Sequence, residues 1–224
     1  TLLCSFATHI YPEGNGVRND LIYYKITEKP LEVIANGTIN GIDLSYFNPQ
    51  NISFRRRDTL NKELGIVNED LIFIFAGRMV TDKGLNELVA AFLDILKKNV
   101  TSQNCIQKNI KLILVGNFEQ DLNPLSITTL ADIKNNAQII TVGFQQDIRP
   151  YLAVCHWLVF PSGRECVSIV VLPSLAMGIP ALVSDINGCR EIITAEENGW
   201  FVPVKNEILL KEKMFFPGIL PAII

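Results

Sequence analysis

The chain has 224 residues, of which 48% are hydrophobic, so it is long enough to bury one good core. Its formal net charge of −3, with no basic stripe, argues against a protein that binds the phosphate backbone of nucleic acids. Five scattered cysteines and two histidines lack the spacing of a disulfide framework or a metal centre, and they favour reduced thiols in a cytoplasmic protein.

The first part of the chain is the least regular. Residues 11–16 form a turn cluster, and residues 20–26 are predicted to be one helix with an apolar face. Leu31 to Ala35 is predicted to be a short strand, followed by Asn-Gly turns at Gly37 and Gly41. Each of these two glycines either supplies the positive φ of a turn or contacts a ligand. Because the chain begins with Thr and shows no strand–helix repeat before residue 31, we expect a fragment.

A strand, a turn and a helix follow one another from Leu71. Residues 71–76 (LIFIFA) are a continuous apolar run of buried-strand length, which Gly77 closes. Thr81 and Asp82 offer an N-cap, and apolar residues then recur at helical spacing from Leu85 to Leu96. The turn between strand and helix therefore carries Arg78 and Lys83.

The same alternation continues along the chain. Residues 110–115 are predicted to be a strand ending at Gly116, residues 125–135 a helix, and residues 138–142 a strand ending at Gly143 and Phe144. Asp147 is predicted to cap a helix over residues 148–155, and His156 to be a core or edge histidine rather than a catalytic one. Such alternation calls for an α/β fold with a doubly wound, Rossmann-like parallel sheet.

The stretch from Trp157 to Ile193 carries the clearest indication of a ligand site in the chain. Trp157 to Phe160 is a buried strand that stops at Pro161, and Glu165 stands on the loop at its carboxyl end, where open parallel sheets bind ligands. A helix is predicted over residues 167–177. The free N–H groups of its first turn would seat a phosphate. Within that helix, Pro173 is expected to remove a hydrogen bond at a cost of about 3 kcal/mol and to push Leu172 out of the α region.

This stretch is similar to the signature PSxxEGFGxxxxEAMAxGxPV of the retaining GT-B glycosyltransferases of family 4, also called group 1 glycosyl transferases. The residues that match are Pro161, Ser162, Glu165, Ala176, Met177, Gly178 and Pro180, with a GGxxE-like segment at residues 187–191. The turn at Arg78 and Lys83 resembles the family's GR-x4-KG, and residues 40–43 resemble its NG(V/I)D. Two departures are that Cys166, Val167 and Ser168 replace Gly-Phe-Gly and that Pro173 replaces the second Glu of the E-x7-E pair.

The resemblance, which spans residues 31–204, implies the C-terminal half of a GT-B fold. It divides the chain into a remnant of an acceptor domain (1–30), a nucleotide-sugar-binding domain (31–205) and an aberrant or truncated tail (206–224). By the family's pattern Arg78 and Lys83 grip the donor's diphosphate, and Glu165 contacts hydroxyls of the donor sugar. The remaining donor-binding positions are Gly77, Gly116, Gly143, Phe144, Cys166, Val167 and Ser168, with Pro173 where the family has its ribose-binding Glu.

The activity that the resemblance implies is transfer of a sugar, with retention at the anomeric carbon and without metal or cofactor. The donor is a UDP- or GDP-sugar, and the acceptor is a glycan or a lipid-linked sugar in cell-surface polysaccharide synthesis. A peripheral association with the membrane is left open. Because Pro173 removes a ribose contact, a non-catalytic nucleotide-sugar-binding remnant is the alternative function, and a GT-B sugar-nucleotide epimerase is a further one.

Overall fold

The computed structural model describes residues 2–37, 41–101, 109–119, 121, 123–165 and 170–215. Its centre is one six-stranded, fully parallel sheet in the order β3-β2-β1-β4-β5-β6. This is the strand order of the Rossmann fold, so the predicted doubly wound α/β class is confirmed. The strands are β1 (Leu71–Ala76), β2 (Ile110–Val115), β3 (Ile139–Thr141), β4 (Trp157–Phe160), β5 (Ala181–Ser184) and β6 (Gly199–Val202).

Helices cover the sheet and form the connections between its strands. Two 3₁₀ turns, Pro49–Asn51 and Thr81–Lys83, supplement them. The α-helices are α1 (Leu2–Phe6), α2 (Asn15–Tyr23), α3 (Phe54–Glu63), α4 (Leu85–Thr101), α5 (Ile127–Asn135), α6 (Arg149–Leu152), α7 (Val171–Ala176), α8 (Asn187–Arg190) and α9 (Glu207–Phe215). Among the residues that the structure describes, no helix is both long and apolar enough to cross a membrane.

The core lies on both faces of the central strands. All six residues of β1 and all four of β4 are buried, which explains why these strands are continuous apolar runs rather than alternating ones. Phe73 of β1 pairs with Trp157 of β4, while on its other side β1 pairs with β2 along its whole length. The chain therefore reverses its direction of progress across the sheet between β1 and β4, and ligands of open α/β sheets bind at such a switch point.

The segment before the sheet differs from the prediction. Residues 31–35 form no strand. Leu31 pairs with Ile10 in an isolated bridge, and this pairing does not extend to the neighbouring residues. Helix α2 begins at Asn15, earlier than the predicted residue 20. Gly37 and Gly41 both have positive φ, at 81° and 60°, so the turn function of these glycines is the one that the backbone supports.

Helix α7 spans Val171–Ala176, with Val170 and Met177 flanking it, and residues 167–169 of the predicted range 167–177 lie outside the described residues. Pro173 is therefore its third residue and stands in the first turn, where a backbone N–H has no acceptor within the helix. The Pro173 carbonyl still accepts the N–H of Met177 at 3.0 Å, and Leu172 is helical. At this position a proline removes no hydrogen bond within α7, and the carbonyl four residues earlier, at position 169, lies outside the described residues.

Other predicted features of the helices also differ from the structure. Thr81 belongs to a 3₁₀ turn, and its hydroxyl donates to the carbonyl of Pro124 at 2.5 Å, so it does not cap α4. Asp147 does accept the N–H of Arg149, at 3.0 Å, but α6 ends at Leu152 rather than at residue 155. Within the predicted aberrant tail (206–224), residues 207–215 form helix α9 with Leu210 and Met214 buried, and residues 216–224 lie outside the described residues.

Candidate active site

The loops that follow β1 and β4 interlock at the carboxyl edge of the sheet. Gly84 ends the 3₁₀ turn with φ of 72°, and a Cβ atom at this position would lie 2.1 Å from the carbonyl oxygen of Pro161. The N–H of Gly163 donates to the carbonyl of Asp82 at 2.8 Å. Only glycine permits this approach at such a φ, and the approach places Lys83 of one loop against Glu165 of the other.

Lys83 and Glu165 form an ion pair between Nζ and Oε1. The same carboxylate oxygen accepts the hydroxyl of Ser162 at 3.1 Å, and Ser162 is fully buried. The Lys83 ammonium also lies 6.0 Å from the centroid of the Phe160 ring. Each partner's side chain is only 16% exposed. The loops that follow β1 and β4 thus hold a charged pair at the switch point, each loop contributing one partner.

Helix α8 brings Cys189 close to this pair. Burial is the main cause that raises the pKa of the Cys189 thiol to about 12, and the negative charges of Glu165 and Asp185 raise it further while Lys83 opposes them. The thiol is therefore neutral near pH 7 and a poor nucleophile. Burial also raises the pKa of Cys155 well above its usual value. Neither cysteine is suited to covalent catalysis.

Arg78 makes its ion pair away from Lys83. Its Nη1 lies 3.1 Å from Oε2 of Glu119, which follows β2, and the two side chains are 52% and 35% exposed. The two cations predicted to grip one diphosphate are thus held by two different carboxylates. The structure brings Lys83 and Glu165 together, while Arg78 stands at the more open side of the same sheet edge.

Glycines end the three strands on that side. Gly77 and Gly116 follow β1 and β2 with φ of 147° and 140°, and a Cβ atom on Gly116 would lie 1.9 Å from the Gly77 carbonyl oxygen. The Gly116 N–H donates to the carbonyl of Gly143, at the end of β3, at 2.9 Å. Next to Gly143, the N–H of Phe144 donates to Oδ1 of Asn117 at 3.2 Å, and the Phe144 ring is 70% exposed. The three glycines therefore leave the backbone at these strand ends without side chains, next to the exposed ring of Phe144.

The predicted phosphate seat cannot be placed, because Cys166, Val167 and Ser168 lie outside the described residues. Pro173 is described and partly buried, on α7. In the part of the chain that the structure describes, no three His, Cys, Asp or Glu side chains lie close enough together to hold a metal ion.

Sequence reasoning missed three residues around the site. Ser162 was visible as part of the Pro-Ser motif, but Glu119 follows its strand in an irregular loop and gives no periodic signal. Glu191 accepts the N–H groups of Asn15 and Gly16 at 2.7 and 2.8 Å, and so caps α2 across the molecule. A Cβ atom on Gly14 would lie 2.5 Å from the Glu191 carboxylate, so a larger residue there would force that carboxylate to move.

The chain is similar to known proteins over most of its length. The family model described as "Glycosyl transferases group 1" matches residues 56–215. The chain is 22% identical over 209 residues to the capsular polysaccharide biosynthesis glycosyltransferase CapM of Staphylococcus aureus, covering 93% of this chain and 51% of CapM. It is 25% identical over 167 residues to the UDP-Gal:alpha-D-GlcNAc-diphosphoundecaprenol alpha-1,3-galactosyltransferase of Escherichia coli, covering 75% and 41%.

A solved structure shares the fold. HepE of Anabaena, crystallised in complex with UDP, superposes with a TM-score of 0.75 at 19% identity, covering 94% of this chain and 54% of HepE. At that identity the likeness concerns the fold alone. The chain spans about half the length of CapM and about half the length of HepE.

Proposed function

Because this chain belongs to the group 1 glycosyl transferases, we propose that it carries the donor site of a retaining glycosyltransferase. The observation that carries the proposal is the Lys83–Glu165 pair at the switch point between β1 and β4. These are the two residues in which the sequence resembles the family's diphosphate-binding lysine and sugar-binding glutamate. They come from loops 82 positions apart and meet where an α/β sheet binds its ligand.

In the proposed reaction the bond between the sugar's anomeric carbon and the diphosphate breaks, and a bond from an acceptor hydroxyl to the same carbon forms. Negative charge grows on the departing diphosphate. Lys83 and Arg78 stabilise that charge, and fixed cations in a partly buried site do so strongly. Glu165, held by Ser162, accepts hydrogen bonds from the donor sugar and orients it. The acceptor hydroxyl's proton leaves with the departing phosphate or passes to solvent.

The donor class we propose is a nucleoside diphosphate sugar, with UDP as the first candidate. HepE binds UDP in the crystal, and the name of the E. coli relative specifies UDP-galactose. The acceptor we propose is a glycan or a lipid-linked sugar, because the name of the same relative specifies a diphosphoundecaprenol-linked sugar. The process we propose is polysaccharide synthesis, which the name of CapM specifies, and the location we propose is the cytoplasm. Acceptor binding is assigned to a separate half of the protein, and residues 31–205 to the donor half.

Pro173 supports the second candidate, a nucleotide-sugar-binding remnant without catalysis. Proline has no side-chain acceptor for the ribose hydroxyls that the family's glutamate holds. Pro173 nonetheless lies in the first turn of α7, where proline is tolerated. A disrupted helix is therefore not an argument for this alternative. What remains in its favour is one missing ligand contact.

Calorimetric titration with uridine, UDP and UDP-glucose tests the proposal. UDP should bind more tightly than uridine, and Arg78→Ala should remove most of that difference, since a charge-assisted hydrogen bond contributes roughly 1.5 to 3 kcal/mol, or about 10- to 150-fold in affinity. Asp58→Asn, which alters an exposed ion pair with Lys62 on α3, is the control. Equal affinity for uridine and UDP in the unaltered protein would contradict a donor site here.

A further inference from the structure

Backbone contacts between the segments that follow β1 and β2 place Glu119 against Arg78. The N–H of Met79 donates to the carbonyl of Asn117 at 2.9 Å, and Met79 and Phe118 form an isolated parallel bridge. These contacts extend the β1–β2 pairing past the strand ends and bring the Glu119 carboxylate to 3.1 Å from the Arg78 guanidinium. We propose that Glu119 is the internal counter-ion that the donor's diphosphate displaces from Arg78, and that it thereby sets the protein's affinity for nucleotides. This inference rests on the proposed donor site.

The two ion pairs at this edge differ in how easily the cation can leave its carboxylate and bind an anionic ligand instead. Lys83 and Glu165 are each 16% exposed, and Ser162 adds a hydrogen bond to the carboxylate, so opening that pair would strand a mostly buried charge. Arg78 and Glu119 are 52% and 35% exposed, and both can be hydrated when they separate. Exposed pairs of this kind are weak. Arg78 is therefore the cation that changes partner when an anion arrives, while Lys83 keeps Glu165.

The exchange has a cost that the ligand must offset. A diphosphate that reaches Arg78 breaks the pair and comes to rest beside the Glu119 carboxylate, which repels it. Glutamine has the shape of glutamate but lacks the charge, so Glu119→Gln removes both the competition and the repulsion. We expect the Kd for UDP to fall about 3- to 10-fold at low salt, the size of one weak exposed pair plus a screened repulsion.

The sign of this effect separates it from a structural function of Glu119. If the Arg78–Glu119 pair only stabilised the loop, Glu119→Gln would weaken binding and lower the melting temperature. A counter-ion instead predicts tighter binding at an almost unchanged melting temperature. The gain should shrink as sodium chloride rises from about 0.01 M to 1 M, because the Debye length falls from about 30 Å to 3 Å.

The experiment is a calorimetric titration of uridine, UDP and inorganic diphosphate into four proteins: the unaltered chain, Glu119→Gln, Arg78→Ala and the double variant. Asp58→Asn is the matched control, because it removes one carboxylate from an exposed ion pair on α3 and changes the net charge equally. The expected result is tighter binding of UDP and of inorganic diphosphate by Glu119→Gln alone. Uridine should bind all the proteins alike, and the gain should shrink when Arg78 is alanine, because only the repulsion by Glu119 is then left to remove.

The outcomes distinguish this inference from the proposed function. If UDP binds but Glu119→Gln and the unaltered protein bind it equally, or the gain is just as large without Arg78, the counter-ion assignment is overturned and the donor site stands. If inorganic diphosphate gains affinity in Glu119→Gln while UDP binds neither protein, the assignment stands and the donor site fails. If neither ligand binds any of the proteins, both are overturned.

Discussion

The backbone of Gly84 lies against the carbonyl oxygen of Pro161, so close that a Cβ atom would be 2.1 Å from it. This single approach joins the loop that carries Lys83 to the loop that carries Glu165. The φ of Gly84, 72°, would be strained for any other residue even if no atom lay nearby. Two separate physical demands therefore fix a glycine at this position.

Gly84→Ala should destabilise the protein much more than Gly178→Ala. Gly178 also has positive φ, at 77°, but a Cβ atom there meets nothing within 4 Å, so it reports the conformational cost alone, about 1 to 2 kcal/mol. Alanine at position 84 adds an overlap with backbone, for roughly 3 kcal/mol or more in total. Chemical denaturation of both variants measures the difference. Equal losses would mean that the two loops separate freely.

Lys83→Ala should lower the melting temperature, and adding Glu165→Gln should recover most of the loss. Removing the ammonium leaves the carboxylate largely buried, with Ser162 as its donor among the residues that the structure describes, at a cost of roughly 1 to 3 kcal/mol. Glutamine at position 165 removes the unpaired charge. Arg78→Ala is the comparison, since its exposed pair should contribute about 1 kcal/mol or less. A double variant less stable than Lys83→Ala would show that the charge of Glu165 is not the cause.

Glu165→Gln separates the sugar contact from the nucleotide contact. Because Glu165 is proposed to face the donor sugar, the substitution should leave binding of plain UDP within about threefold, allowing for the altered partner of Lys83. Any preference for UDP-glucose over UDP should fall. Calorimetry with both ligands gives the ratio. A collapse of UDP binding itself would assign Glu165 to the phosphates or to the fold.

The sequence allowed the sheet and part of the site to be predicted, for one physical reason. Each of β1 and β4 is a short apolar run closed by a turn, so its carboxyl end, and with it Lys83 or Glu165, could be assigned to one edge of a parallel sheet. Glu119 could not be found this way, because only the folded backbone brings it to Arg78. The start of α7 was misjudged because apolar residues continue before Val171 without a capping residue to mark the boundary.

Pro173→Glu decides between a working donor site and a remnant, and the structure changes what it should do to stability. In the family a glutamate at this position holds both ribose hydroxyls, with hydrogen bonds that contribute roughly 1.5 to 3 kcal/mol, or about 10- to 150-fold in affinity. Because Pro173 is the third residue of α7, its replacement restores no backbone hydrogen bond within the helix. A carboxylate in the first turn gains only about 0.3 to 1 kcal/mol from the helix dipole. We therefore expect a small change in melting temperature and at least tenfold tighter binding of UDP.

Pro173→Gln is the matched variant for that substitution, since it also replaces the cyclic side chain by a linear one but adds no charge. Glutamine should change the melting temperature about as much as glutamate does, and it should recover less of the UDP affinity because a neutral acceptor forms weaker hydrogen bonds than a carboxylate. Uridine, which has the same ribose, should gain affinity together with UDP in Pro173→Glu. If UDP gains and uridine does not, the new carboxylate acts elsewhere than on the ribose. If neither gains, α7 is arranged around the proline, and the correspondence of Pro173 with the family's ribose-binding glutamate is wrong.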